Sequence, residues 1–238
     1  MKKIISIIVV LALAIIVISL VSNKKAPVTT PDTATDTTIS TSTAISLGDI
    51  KISDGSYSVK PSDATITWTG RKVVLKNWID SGKINLKEMV FEVKDGKISS
   101  NKFIIDMTSI AGVSTGAGGG QDKLTTHLKS ADFFDVVTFP TSTFVAKEFT
   151  ASSTKPGLFI VRGDLTIKGT TNEISIPATL SYSDGKTLVI KGTATVDRTL
   201  WNIQYGSGKF FKNLGDNVIA DNFTLDFDIK ISPEIEAI

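Results

Sequence analysis

The stretch GDLTIKGTTNEISIPATLSY, residues 163–182, decides the fold. From Glu173 onward Ile174, Ile176, Ala178, Leu180 and Tyr182 recur at every second position. Successive side chains of a strand point to opposite faces, so this alternation describes a ribbon with one dry face and one wet face, the mark of an antiparallel sheet. NFTLDFDIKI at 222–231 repeats it, with Phe223, Leu225, Phe227, Ile229 and Ile231 opposed to Thr224, Asp226, Asp228 and Lys230. Turn signals separate such runs at Ser81-Gly82, Asp95-Gly96 and Ser183-Asp184-Gly185, and Asp-Gly supplies the positive φ that tight hairpins need. Only Gln121 to Phe134, with Leu124, Leu128 and Ala131 three or four apart, predicts a helix, and a short one. From Leu47 on there are about eight to ten period-two segments. Closing so many antiparallel strands on themselves removes exposed edges. The expected fold is therefore all-β: a closed antiparallel barrel of about eight strands with one short helix.

The 238 residues hold one domain and a tail, and an apolar share of 41% is ample for a core. The net charge of +2 comes from residues 1–45, where Lys2, Lys3, Lys24 and Lys25 face Asp32 and Asp36; the rest of the chain is neutral. No basic face for nucleic acid is implied. Ile4 to Ser22 is a charge-free apolar run of about 19 residues, close to the span of a bilayer core. It lacks a good cleavage pattern after it, which favours an uncleaved signal anchor over 1–25 rather than a cleaved signal peptide. The following 26–46 is rich in Thr, Ser and Pro, poor in large apolar residues, and reads as a disordered linker. The domain proper is expected over 47–238, tethered to the cytoplasmic membrane on its extracytoplasmic (periplasmic or cell-surface) side. The oligomeric state is left open.

The chain has no cysteine and a single histidine, His127, too few for the N and S ligands of a zinc or copper site. No metal and no cofactor is expected. GVSTG at 112–116 matches the G-x-S-x-G pattern, and Asp122 and His127 follow Ser114 in the order of a hydrolytic triad. All three lie in one short segment, whereas the nucleophile elbow belongs to a parallel sheet with partners from distant loops. Gly185-Lys186-Thr187 lacks the first glycine of a phosphate-binding loop, since Leu180 stands there. The expectation is a protein that is not an enzyme.

Four blocks resemble the YceI-like family in their order along the chain: GSYSVKPSDATITW at 55–68; His127 to Ser130, Asp132 to Asp135 and Pro140; Gly163 to Gly169; and DRTLWNIQYGSGKFFKNLGD at 197–216. The resemblance spans roughly 55–231. It implies a lipocalin-like barrel enclosing a polyisoprenoid or other long-chain lipid, and hence a binding protein. On that implication Trp68, Phe91, Phe103, Ile105, Phe134, Phe144, Leu165, Ile176 and Trp201 are candidates for an apolar ligand cavity, and His127 for a headgroup contact at the mouth. Core packing is the plain reading of the same apolar residues, as is a satisfied helix residue for His127. The chain departs from the family where many members carry His-Ser in the opening strand and Arg-Asp before the histidine: here stand Asp63-Ala64 and Leu124-Thr125-Thr126. The alternative is a membrane-tethered structural or interaction module whose barrel is packed solid and takes no ligand.

Overall fold

The computed structural model describes residues 45–46, 51–116 and 120–232. The expected membrane segment, and the expected linker up to residue 44, lie outside them. Among the described residues no helix is long and apolar enough to cross a membrane.

Among the described residues ten strands follow one another: β1 (Ile45–Ser46), β2 (Gly55–Ser58), β3 (Ala64–Arg71), β4 (Ile79–Lys94), β5 (Lys97–Ser114), β6 (Thr141–Ala151), β7 (Leu158–Ile167), β8 (Thr170–Tyr182), β9 (Leu188–Asp197) and β10 (Asn222–Ile231). Each strand from β3 to β10 pairs antiparallel with the next, and β10 returns to β3 with Leu225 opposite Trp68. Eight strands thus close into the barrel that the alternation predicts. Among the described residues one α-helix, α1 (Gln121–Lys129), lies between β5 and β6. It is shorter than the span to Phe134: beyond Ser130 the chain turns repeatedly, Phe134 N–H donating to the Leu128 carbonyl and Asp135 N–H to that of Ser130.

The inward rows are the predicted apolar ones. Ile176, Ala178 and Leu180 of β8 are buried between exposed neighbours, whereas Tyr182, at the strand's end, is exposed and donates its hydroxyl to the Lys51 carbonyl at 2.8 Å. Asp95 and Gly96 both adopt positive φ in the β4–β5 hairpin, as expected, and Lys168 with Gly169 does the same between β7 and β8. Ser81-Gly82 is different. It lies inside β4, at a shift in the register with β5, and not in a turn.

β4 and β5 have 16 and 18 residues and outrun the barrel at the Asp95-Gly96 end. There β2 covers the outer edge of β4, and β1 pairs with Lys97 and Ile98 of β5. Unpaired edges invite association with other chains, and these two short strands cover them.

Candidate functional site

The last residues of β3, β5, β7 and β9 and the first of β4, β6, β8 and β10 share one end of the barrel. α1 lies across it. Leu124 and Leu128 of α1 face inward, and the Thr125 hydroxyl accepts from the Gly112 amide of β5 at 2.9 Å. Beneath the helix is a cavity of about 180 Å³, walled by Ile66 and Trp68 of β3, Ile84 of β4, Ile105, Met107 and Ile110 of β5, Leu165 and Ile167 of β7, Phe223 and Leu225 of β10, and Phe133 and Phe134 of the turn after α1. Its walls are almost wholly apolar. Polar groups gather towards the opening, where Arg71, Lys72, Asp80 and Asn222 stand.

Among the expected site residues, Trp68, Ile105, Phe134 and Leu165 come together in this wall. Trp68 is held there by its indole N–H donating to the Ala111 carbonyl at 3.2 Å. Phe91 and Phe103 line a second, much smaller void of about 20 Å³ nearer the other end, with Met89, Phe149 and Leu180. Phe144 packs on Phe103 with ring centroids 5.8 Å apart and pairs with Leu165 across the sheet, so by register it stands at the level between the two voids. Ile176 is buried in β8, which contributes no residue to the larger cavity. Trp201 is fully buried behind the wall, its indole donating to the Leu165 carbonyl at 3.0 Å. The interior is thus hollow below α1 and nearly filled further down.

His127 does not line the cavity. Its Nε2 lies 3.1 Å from an Asp132 carboxylate oxygen, and its ring meets Phe133 and Tyr205 edge-on at 4.9 and 4.6 Å. It therefore clips the turn after α1 to the loop that carries Tyr205. Ser114 is exposed at the end of β5, and the neighbour that engages His127 is Asp132 rather than Asp122. Among the described residues no group of three or more His, Asp or Glu side chains could hold a metal ion.

Arg198 stands outside the set of expected cavity residues. It opens a one-turn helix at Arg198–Trp201, is only 4% exposed, and reaches the cavity wall. Its guanidinium donates to the carbonyls of Ile203 at 2.8 Å, Ala220 at 3.1 Å and Ile219 at 3.3 Å, with Asp221 at 3.9 Å. Burial pushes its pKa down, and the carboxylates of Asp221 and Asp197 oppose that shift. The side chain ties the 198–221 excursion over the mouth to itself, because three carbonyls from both ends of the loop converge on one planar donor. Ser142 is the other buried polar side chain in the wall, and its hydroxyl has no hydrogen-bond partner. A depression of about 380 Å³ at the opposite end is lined by Lys51, Ser53, Tyr57, Tyr182 and Lys186 among others, too polar for an apolar ligand.

Comparisons place this architecture among known ones. A family model described as a YceI-like domain matches residues 57–231. The solved structure of Burkholderia cenocepacia BcnA superposes with a TM-score of 0.54 at 20% identity, over 73% of this chain and 99% of that one. A polyisoprenoid binding domain from Saccharophagus degradans, implicated in plant cell wall breakdown, gives a TM-score of 0.55 at 13% identity over 74% and 97%. At such identities the likeness is one of fold. Comparison with curated proteins gives no match.

Proposed function

The chain belongs to the YceI-like domain family, and on that premise we propose that its barrel binds and carries an isoprenoid-type or similar long-chain lipid without transforming it. The observation that supports this reading is the apolar cavity of about 180 Å³ under α1. An engineered cavity of about 150 Å³ stays dry and takes up benzene, so this space has room for one or two prenyl units. Burial stabilises by about 0.8 kcal/mol per CH₂. Two five-carbon units then contribute roughly 8 kcal/mol, near micromolar affinity before ordering costs. The fold relative from Saccharophagus degradans, described as polyisoprenoid binding, agrees in kind.

The same reading puts the domain on the extracytoplasmic side, tethered by residues 1–25 through the Thr, Ser and Pro stretch that precedes β1. Its support is the sequence alone: a charge-free apolar run followed by a Thr, Ser and Pro stretch. The filled-barrel module is disfavoured by the void beside Trp68.

The test is direct. Mass spectrometry of lipid extracted from the purified full chain should find an isoprenoid, and farnesol should change tryptophan fluorescence saturably in the micromolar range, the response being lost in Trp68→Phe. No co-purifying lipid together with no saturable response would overturn the assignment.

A further inference from the structure

Two loops at the mouth carry the same pattern. One is Lys72-Val73-Val74-Leu75-Lys76, the other Lys209-Phe210-Phe211-Lys212. In each, an apolar run of two or three residues lies between lysines, and two of its residues are turned to solvent: Val73 and Val74 are 58% and 54% exposed, with Leu75 half-buried beside them, and Phe210 and Phe211 are each 48% exposed. The loops adjoin. The Val73 amide donates to the Val218 carbonyl at 2.9 Å, Lys72 Nζ donates to Asn217 Oδ1 at 3.2 Å, and the Ala220 amide donates to the Arg71 carbonyl at 2.9 Å. Both run straight into the cavity wall, through Arg71 and Lys72 on one side and Ile219 and Ala220 on the other.

We propose that these two loops dock the mouth of the barrel onto an anionic lipid bilayer, so that cargo passes between membrane and cavity without crossing water. The proposal rests on the cargo being a lipid, as argued above. Exposed apolar pairs rimmed by lysine fit an interface of acyl chain and anionic headgroup. Lys209 is neutralised by Asp197 and Asp221, but Arg71, Lys72, Lys76 and Lys212 remain, against Asp216 in the loops and Asp80 beside them. At the other end the hairpins are Asp95-Gly96, 152–157 and 183–187, of Ser, Thr, Asp, Lys, Gly and Pro, and among the described residues Tyr182 is the one exposed large apolar residue directly adjoining them. The reach suffices. Residues 23–44 can span at most roughly 75 Å, whereas a ten-residue strand measures about 33 Å, so an anchor upstream leaves the mouth free to meet the same surface.

The absence of cysteine makes single-site labelling clean. Full-length Val74→Cys and Ile160→Cys proteins, carrying an environment-sensitive dye, are incorporated into phosphatidylcholine vesicles with and without phosphatidylglycerol. Ile160 is an exposed control on the barrel wall. Brominated lipid should quench the dye at 74 several-fold more than at 160, on the anionic vesicles, and Lys76→Glu with Lys212→Glu should abolish the difference. Phe210→Ser with Phe211→Ser should slow lipid uptake from vesicles at least tenfold while leaving affinity for dispersed farnesol unchanged. Equal quenching at both sites overturns the docking and leaves a protein donor as the occupant of this surface. Failure of the unaltered protein to bind farnesol instead removes the carrier reading itself.

Discussion

Glycines inside strands make room for the large rings of this interior. A Cβ on Gly82 would lie 2.6 Å from the Trp68 ring and 1.8 Å from the Ala111 carbonyl oxygen. Added at Gly163 it would meet the Phe144 ring at 2.6 Å, and at Gly192 the Phe227 ring at 2.5 Å. Each ring lies over the bare backbone of a neighbouring strand, a position that any other residue would close. Gly82→Ala should destabilise the fold by about 3 kcal/mol, because the obstruction is backbone and a packed indole rather than a flexible tip. Gly70→Ala, in the next strand and facing open space, should change stability by less than about 0.5 kcal/mol. Chemical denaturation of the two variants checks the contrast. Ser81-Gly82 read as a turn because the dipeptide has the same composition in either setting; only the tryptophan opposite it distinguishes them.

At the scale of elements, the seam between β5 and β6 pairs only from Phe103–Phe144 to Asp106–Thr141. Further down, the Asn101 side chain completes the ladder, its amide donating to the Ala146 carbonyl at 2.9 Å and accepting from the Ala146 amide at 2.7 Å. The 198–221 excursion has its own clasp. Asp197 accepts from the Thr199 amide at 3.0 Å and from Lys209 Nζ at 2.9 Å. Burial acts to raise the Asp197 pKa, but hydrogen bonds from Thr199 and Lys209 outweigh it and hold the carboxyl below its ordinary value. A carboxyl depressed in the native state stabilises the fold at pH above its unfolded value and loses that contribution as pH falls through the native one. Asp197→Ala should therefore cost about 1 to 2 kcal/mol at neutral pH, and its deficit against the unaltered protein should shrink below about pH 4. Urea midpoints measured across that range decide it. The partner of Asn101 and the far partners of Arg198 could not be picked out from the sequence, since they lie some 45 and 20 residues further on and follow no period.

For the whole molecule, alternation was enough to foresee a closed sheet, since every strand had one dry face to bury. It could not foresee where the interior stays empty. Period two says which row points inward, but the reach of each ring depends on what stands opposite, and Phe144 with Phe103 fills a level that smaller residues would leave open. Phe144→Ala should join the two voids. The expected cost is about 3 to 5 kcal/mol of stability, with a gain of about tenfold in affinity for geranylgeraniol relative to farnesol, well within the roughly 4 kcal/mol that one more buried prenyl unit can supply. Paired fluorescence titrations measure that ratio. An unchanged ratio would show that the voids do not communicate through this position.

The pairing of β1 with the first residues of β5 also fixes where the polypeptide joins the cylinder: beside the Asp95-Gly96 hairpin, remote from α1. A bulky label inserted directly before Ile45 would accordingly sit at the far end of the cylinder and leave entry of a ligand beneath the helix unobstructed.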